Sequence, residues 1–249
     1  MVHIRTAEEI EKIRESCRIV SETLDLLSRE IKSGITTLYL DHLAAEFIKS
    51  QGGHSAFKGY NGFPGNICTS IDEQVVHGIP SNRVLKEGEI ISIDVGVKKN
   101  GYYGDAAMTF AVGTVSDDRL QLMRVTEDSL YQGIAQARPG NHLSDIGHAI
   151  QTHVESYGYG VVRELVGHGV GRELHEPPEI PNYGEPGRGP VLKPGMCLAI
   201  EPMITMGSHE VRLLKDGWTV ITEDHLPSAH YEHTIAIGPD GPQILSQRK

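Results

Sequence analysis

Apolar residues open the chain at alternating steps of three and four: Ile10, Ile13, Cys17, Val20, Leu24, Leu27 and Ile31. That spacing lines one face of an α-helix, and Thr6 with Glu9 three positions later forms a capping box at its start. The stripe stops near Gly34, which predicts a helix packed on a core rather than a coiled coil. Thr36 and Thr37 cap a second helix that runs through Phe47 and Ile48 to Gly52-Gly53, and residues 56–80 then read as loop.

From residue 90 the period changes to two. Ile91, Ile93, Val95 and Val97 take one face of a strand, while Ser92, Asp94 and Gly96 take the other. Asn100-Gly101 is a hairpin signal, so residues 102–112 read as the returning strand. With a two-residue loop, paired positions sum to 201, which sets Asp94 opposite Ala107 and Asp105 two residues away on the same face. A loop two residues longer would set the acids directly opposite, and an odd loop would part them. Like charges side by side repel, and a fold tolerates them mainly with a cation between them.

The second half repeats the order helix, glycine, helix, strands. Residues 117–137 read as a helix with Leu120, Met123, Leu130 and Ile134 on one side; Pro139-Gly140 breaks it, and residues 143–157 form another before Gly158. Residues 191–201 match residues 84–94 at a constant offset of 107, with Val-Leu-Lys, a glycine, an isoleucine and the terminal acid all recurring. This reads as an internal duplication and predicts one domain of two α+β halves, about 1–112 and 113–249, with Asp94 and Glu201 approaching each other across a pseudo-two-fold. Asp216-Gly217 predicts a further hairpin, and residues 231–237 a late strand carrying Glu232.

The bulk numbers narrow the function. A chain of 249 residues, 39% hydrophobic, builds a full core. Its formal charge of −10 without any Lys/Arg run argues against a nucleic-acid surface. The first residues lack an apolar signal core and no run is long enough to span a bilayer, so a cytoplasmic protein without a membrane partner is expected. Cys17, Cys68 and Cys197 are odd in number and widely spaced without a C-x-x-C, so neither a disulfide framework nor a thiolate zinc site is indicated.

Asp94, Asp105, Glu201 and Glu232 thus lie in apolar, strand-like surroundings. Strand carboxylates ordinarily face solvent, but decoration has no reason to recur at the end of a repeated buried strand. Among the histidines, His168 between glycines and His175 ahead of Glu176-Pro177-Pro178 are the candidates; His3, His42, His142, His148, His153, His209, His225 and His230 carry no functional claim. Four carboxylates and one imidazole suit Mn, Fe or Co better than tetrahedral structural Zn. So much charge suits two divalent ions rather than one, and such a pair activates a bridging water and a carbonyl, so hydrolysis is the natural use. No G-x-S-x-G elbow, H-E-x-x-H or P-loop offers another route.

The ordered set His77-Gly78-Ile79-Pro80, Asp94, Asp105, His168-Gly169-Val170-Gly171, His175-Glu176-Pro177-Pro178, Ala199-Ile200-Glu201-Pro202-Met203 and Tyr231-Glu232-His233-Thr234 resembles the type I methionine aminopeptidases over nearly the whole chain. The resemblance implies the α+β pita-bread (creatinase/aminopeptidase) fold, two pseudo-symmetric halves with curved antiparallel sheet and outer helices. It implies removal of the initiator methionine from nascent polypeptides with a small second residue, by attack of a metal-bridging hydroxide on the first peptide bond. By position, Asp94, Asp105, His168, Glu201 and Glu232 match the ligands of two divalent ions (Mn, Fe or Co, with Zn allowed). The same resemblance implies that Asp94 chelates one ion, that Asp105 and Glu232 bridge, that His77 contacts the scissile amide region, that His175 steadies the carbonyl oxygen and that Glu201 doubles as the proton shuttle.

Tyr60, Phe63, Cys68, Leu174 and Trp218 fall where the family lines its methionine pocket, and a thioether packs well on such surfaces. Phe63 and Leu174 stand where the family more often carries tyrosine and phenylalanine, which bears on pocket shape. A working monomer is expected, with the ribosome admitted as a partner. The competing readings are an aminopeptidase P or prolidase relative, which would carry a large N-terminal domain ahead of the helix that here starts at Thr6, a non-catalytic pita-bread binding protein, which would lack ligands, and a calcium-stabilised domain, which would not need His168.

Overall fold

The computed structural model describes residues 2–248. Four α-helices, α1 (Ala7–Glu30), α2 (Thr37–Ser50), α3 (Asp117–Gln136) and α4 (Leu143–Glu155), flank sheets whose paired strands are all antiparallel. The capping box at α1 is formed, with Thr6 accepting from the Glu9 N–H and Glu9 accepting from the Thr6 N–H. Ile13, Cys17, Val20, Leu24 and Leu27 bury the predicted stripe, and Ile10 and Ile31 are half-buried at its ends.

The strands Ile90–Lys99 and Tyr102–Ala111 form the predicted hairpin. Lys99 faces Tyr102, so the loop is the two residues Asn100 and Gly101, both at positive φ (51° and 81°) as a tight hairpin turn requires. The same register puts Asp94 opposite Ala107 and Asp105 opposite Gly96. On the other edge, Cys68–Ile71 pairs with residues 91–94. The stretch 56–80 is therefore less irregular than its sequence predicts, since it holds this strand and Gln74–Val76. Both are too short to show a period.

The repeat survives as equivalent hydrogen bonds. The Gly34 N–H donates to Leu85 O (2.9 Å) and the Leu85 N–H to Ile35 O (2.8 Å); in the second half Gly140 donates to Leu192 O (3.0 Å) and Leu192 to Asn141 O (2.8 Å). The second sheet orders its strands Gly241–Ile244, His233–Gly238, Cys197–Ile200, Gly167–Gly169 and Glu176–Ile180. One core lies under α1, α2 and the first hairpin, another under α3, α4 and the second sheet, and Met108 packs against both.

Where α3 packs, the sequence misleads. Leu130 and Ile134 are buried as predicted and Met123 is half-buried, but Leu120 is 43% exposed, and the buried face also takes in Leu122, Val125, Thr126, Ser129 and Gly133. The small residues let α4 approach: a Cβ on Gly133 would sit 2.8 Å from the Ile150 side chain. The Asp216-Gly217 hairpin also differs, because Val211–Leu213 pairs with Val220–Thr222 across a six-residue loop, residues 214–219. Asp216 organises that loop by accepting the N–H groups of Trp218 and Thr219 (2.9 Å each). Among the described residues no helix is long and apolar enough to cross a membrane.

One buried ion pair ties the chain's start to the second half. Arg5 donates to Glu176 Oε2, while Glu176 Oε1 accepts the N–H groups of Arg172 (2.8 Å) and Glu173 (3.1 Å). Arg5→Met should cost about 3–5 kcal/mol of unfolding free energy by leaving a buried carboxylate alone, and adding Glu176→Gln should restore most of it. Urea unfolding followed by circular dichroism measures both; a single variant as stable as the parent would contradict the argument.

Candidate active site

Each candidate acid is placed by backbone pairing. Asp94 and Asp105 leave the same face of the hairpin, and Glu201 directly follows the strand Cys197–Ile200. Glu232 lies not in a strand, as its sequence surroundings predict, but in the link between Ser228–His230 and His233–Gly238. Its N–H donates to Ala107 O (2.9 Å), and two residues on, Thr234 Oγ1 accepts the Asp105 N–H (3.1 Å) and donates to the Asp105 carbonyl (2.8 Å). These bonds join the two sheets and bring Asp105 and Glu232 together.

His168 is in mid-strand, paired with Ala199 on one side and Glu179 on the other. Its glycine neighbours are required there: a Cβ at Gly167 would lie 2.4 Å from Ala199 O, and one at Gly169 would lie 2.5 Å from Pro177 O. His168 Nδ1 donates to Gly169 O (2.9 Å), which leaves the Nε2 lone pair facing Glu201 Oε1 at 3.5 Å. Ligand atoms of Asp105, His168 and Glu232 all lie within 4.8 Å of one another.

Burial acts on every member. It pushes Asp94 up to about 7 and Glu201 up to about 8, and it drives Asp105 and Glu232 well above the carboxylate range, where the neighbouring acids raise them further. Burial lowers His168 to about 3 and His77 to about 4, and lowers His175 as well. Asp94 Oδ1, Asp105 Oδ1 and Glu232 Oε1 are buried without a hydrogen-bond partner. Oxygen atoms so placed fit a divalent cation: they have given up water and gained no donor.

Above this floor opens a cavity of about 360 Å³, lined by all twelve residues singled out from the sequence. His77 holds a positive φ of 59°, and Gly78 behind it donates to Ser70 Oγ (3.1 Å) while its carbonyl accepts the Thr69 N–H (2.8 Å). His175 Nδ1 is 2.7 Å from the Tyr60 hydroxyl, and its ring meets that of His168 edge-on at 4.3 Å. Phe63 packs edge-on against Trp218 at 5.1 Å, with Cys68 and Leu174 buried in the same cluster. Burial holds Cys68 well above the usual thiol range, so it serves as an apolar wall rather than a thiolate ligand.

Sequence reasoning missed other neighbours. Phe57 stands edge-on to Phe63 at 6.5 Å, and Val76, Leu165 and Met203 complete the walls. His230, set aside above, is 1% exposed with Nε2 3.6 Å from Glu201 Oε2. An alternation of buried residues gives none of these a distinguishing signal.

Carboxylates have been gathered on the floor of a cavity, largely withdrawn from bulk water, and a cation is what such a floor accommodates. Fold and site together define a metal-dependent hydrolase. The chain belongs to metallopeptidase family M24, which it matches over residues 11–239. It is 56% identical to methionine aminopeptidase 1 of Bacillus subtilis over 99% of this chain and 100% of that one. The methionine aminopeptidase structure from Thermotoga maritima superposes with a TM-score of 0.98 at 46% identity, covering 100% of each chain. The prolidase structure from Pyrococcus horikoshii matches 99% of this chain and 64% of its own with a TM-score of 0.78 at 22% identity, a likeness of fold alone. The fold is the pita-bread α+β fold, with two pseudo-symmetric halves, and the protein binds divalent metal.

The shifted groups set a pH dependence with a definite sign. Histidines depressed on folding contribute stability that is complete above their ordinary 6.5, whereas the raised acids contribute stability that is lost as pH climbs through about 7 to 8. Chelated protein should therefore lose stability between pH 6.5 and 8, and saturating Mn(II) should raise Tm more at pH 8 than at pH 6.5. Scanning fluorimetry measures this; a Tm at pH 8 that is indifferent to chelation would refute it.

Proposed function

We infer that this chain is a metal-dependent aminopeptidase that removes the N-terminal methionine of nascent polypeptides. The observation that carries the reading is the cavity itself: partnerless acids on its floor, an aromatic and sulfur-lined cup at its side, and two neutral imidazoles between them. The roles proposed for its residues are those the family resemblance implies, and that arrangement supports them; residues 1–112 and 113–249 are proposed to work as halves of one catalytic domain.

Asp94, Asp105, His168, Glu201 and Glu232 would hold the divalent metal, proposed as two ions of Mn, Fe or Co. When bound, the metal supplies a Lewis acid for the scissile carbonyl and lowers the pKa of water. Glu201 takes the proton of the attacking water and returns it to the leaving amine. We assign the Tyr60 hydroxyl as the donor to His175 Nδ1, 2.7 Å away, so that the His175 proton lies on Nε2 and can be donated to the carbonyl oxygen as it becomes tetrahedral. His77, its backbone strained and clamped, is the proposed contact to the scissile amide region.

The cup of Phe63, Trp218, Cys68, Leu174 and Tyr60 accepts a thioether and leaves a charged side chain unpaired. Nascent chains present their N-termini in the cytoplasm, beside the ribosome, and that is where a monomer of this protein is proposed to act.

Release of methionine from a Met-Ala-Ser peptide, after the metal is stripped and titrated back, tests the assignment. Asp105→Asn should abolish turnover while the far-UV spectrum stays native, and full activity of the metal-loaded variant would sink the role of Asp105. His175→Ala should lower kcat about 10²–10³-fold with little change in KM. A KM effect alone would remove His175 from the transition state. A Met-Lys peptide should be cleaved far more slowly than Met-Ala, and equal rates would contradict the selectivity for a small second residue.

A further inference from the structure

One buried imidazole beside Glu201 has no part in the mechanism above. His230 ends the strand Ser228–His230, is 1% exposed, and has an Nε2 without a hydrogen-bond partner. Its backbone cannot swing away: the N–H donates to Thr109 Oγ1 (2.9 Å), and the carbonyl accepts from that same hydroxyl (3.0 Å). Ser92 Oγ, 2.8 Å from Thr109 Oγ1, holds that hydroxyl in turn. The ring is therefore aimed by the hairpin that carries Asp94 and Asp105.

The two oxygens of Glu201 lie between two imidazoles, with Oε1 3.5 Å from His168 Nε2 and Oε2 3.6 Å from His230 Nε2. The imidazoles differ in what they present. His168 has its proton committed to the Gly169 carbonyl through Nδ1, so it offers a lone pair. Once Glu201 is ionised, as a metal ligand must be, its Oε2 only accepts, and a lone pair on His230 Nε2 would be repelled, so in that state the proton sits on Nε2. An atom carrying that proton cannot ligate a metal.

We propose that His230 is a positioning residue for Glu201, donating Nε2–H to Oε2 so that Oε1 is turned toward His168 and the metal. The contact is longer than a hydrogen bond, and about 0.7 Å of carboxylate movement brings it to ordinary N–H···O length. A ligand carboxylate held in this way keeps one orientation, which raises metal affinity and aims the proton carrier. The proposal rests on the reading of Glu201 as ligand and proton shuttle.

His230→Gln keeps an N–H donor at similar reach, whereas His230→Leu and His230→Met remove it, Met filling the space with a more pliable chain. The measurements are Co(II) affinity by calorimetry and visible absorption, the Tm of chelated protein, and kcat and KM on Met-Ala-Ser. His230→Leu and His230→Met should lose about 10–100-fold in Co(II) affinity, with an altered cobalt band and a lower kcat at unchanged KM. Chelated Tm should not fall, because a buried donor without a partner has been removed. His230→Gln should stay within about threefold of the parent in Co(II) affinity, close enough to show that the donor rather than the ring matters.

Unchanged cobalt binding in the apolar variants would overturn the proposal. Equal losses in His230→Gln and the apolar variants, or losses that track a lowered chelated Tm, would assign His230 to packing and also overturn it. If the parent protein itself binds no cobalt or releases no methionine, the failure belongs to the functional reading and not to His230.

Discussion

Mutual repulsion among four carboxylates, withdrawn from water onto one cavity floor, is the constraint to which the rest of this molecule answers. In low dielectric each acid resists ionisation and each ionised neighbour makes the next harder to ionise. Left alone, such groups would hold protons or pull apart. They stay together because each is fixed by main-chain pairing: the hairpin register sets Asp94 and Asp105 on one face, Glu201 directly follows the central strand of the second sheet, and the Glu232 N–H is bound to Ala107. The fold is thus preorganised for a cation, and metal binding returns the free energy spent on gathering the charge.

Around that floor the working side chains sit on segments that are tied down. His77 keeps a left-handed backbone because Gly78 is bonded on both sides to the Cys68–Ile71 strand. The turn carrying Leu174 and His175 is gathered around the Glu176 carboxylate, whose counter-ion Arg5 arrives from the start of the chain. Chemistry and selectivity are physically separate: polar groups crowd the floor, while Phe63, Trp218, Cys68 and Leu174 form an apolar wall. A change in the wall alters which side chain fits and leaves the floor's charge intact.

Much of this was legible without coordinates, wherever local geometry dictates the outcome. The three-four spacing from Ile10 to Ile31 and the Thr6–Glu9 box define α1, and Asn100-Gly101 sets a two-residue loop that determines the register of both acids. The 107-residue repeat declares a pseudo-two-fold because the same backbone hydrogen bonds recur in both halves. The names of the candidate ligands came from ordered motifs and from the resemblance they carry.

Tertiary structure decided what sequence periodicity does not encode. The buried face of α3 depends on how closely α4 approaches, so Thr126, Ser129 and Gly133 pack inward while Leu120 stays at the surface. Short strands such as Cys68–Ile71 exist only because a longer neighbour offers its edge. His230 is one histidine among thirteen in the sequence, and only the pairing of Thr109 with the backbone at residue 230 turns it toward Glu201. Sequence determined the local elements and the chemistry available, because those follow from neighbours along the chain; distances between charges separated by a hundred residues follow from packing, which only the folded structure supplies.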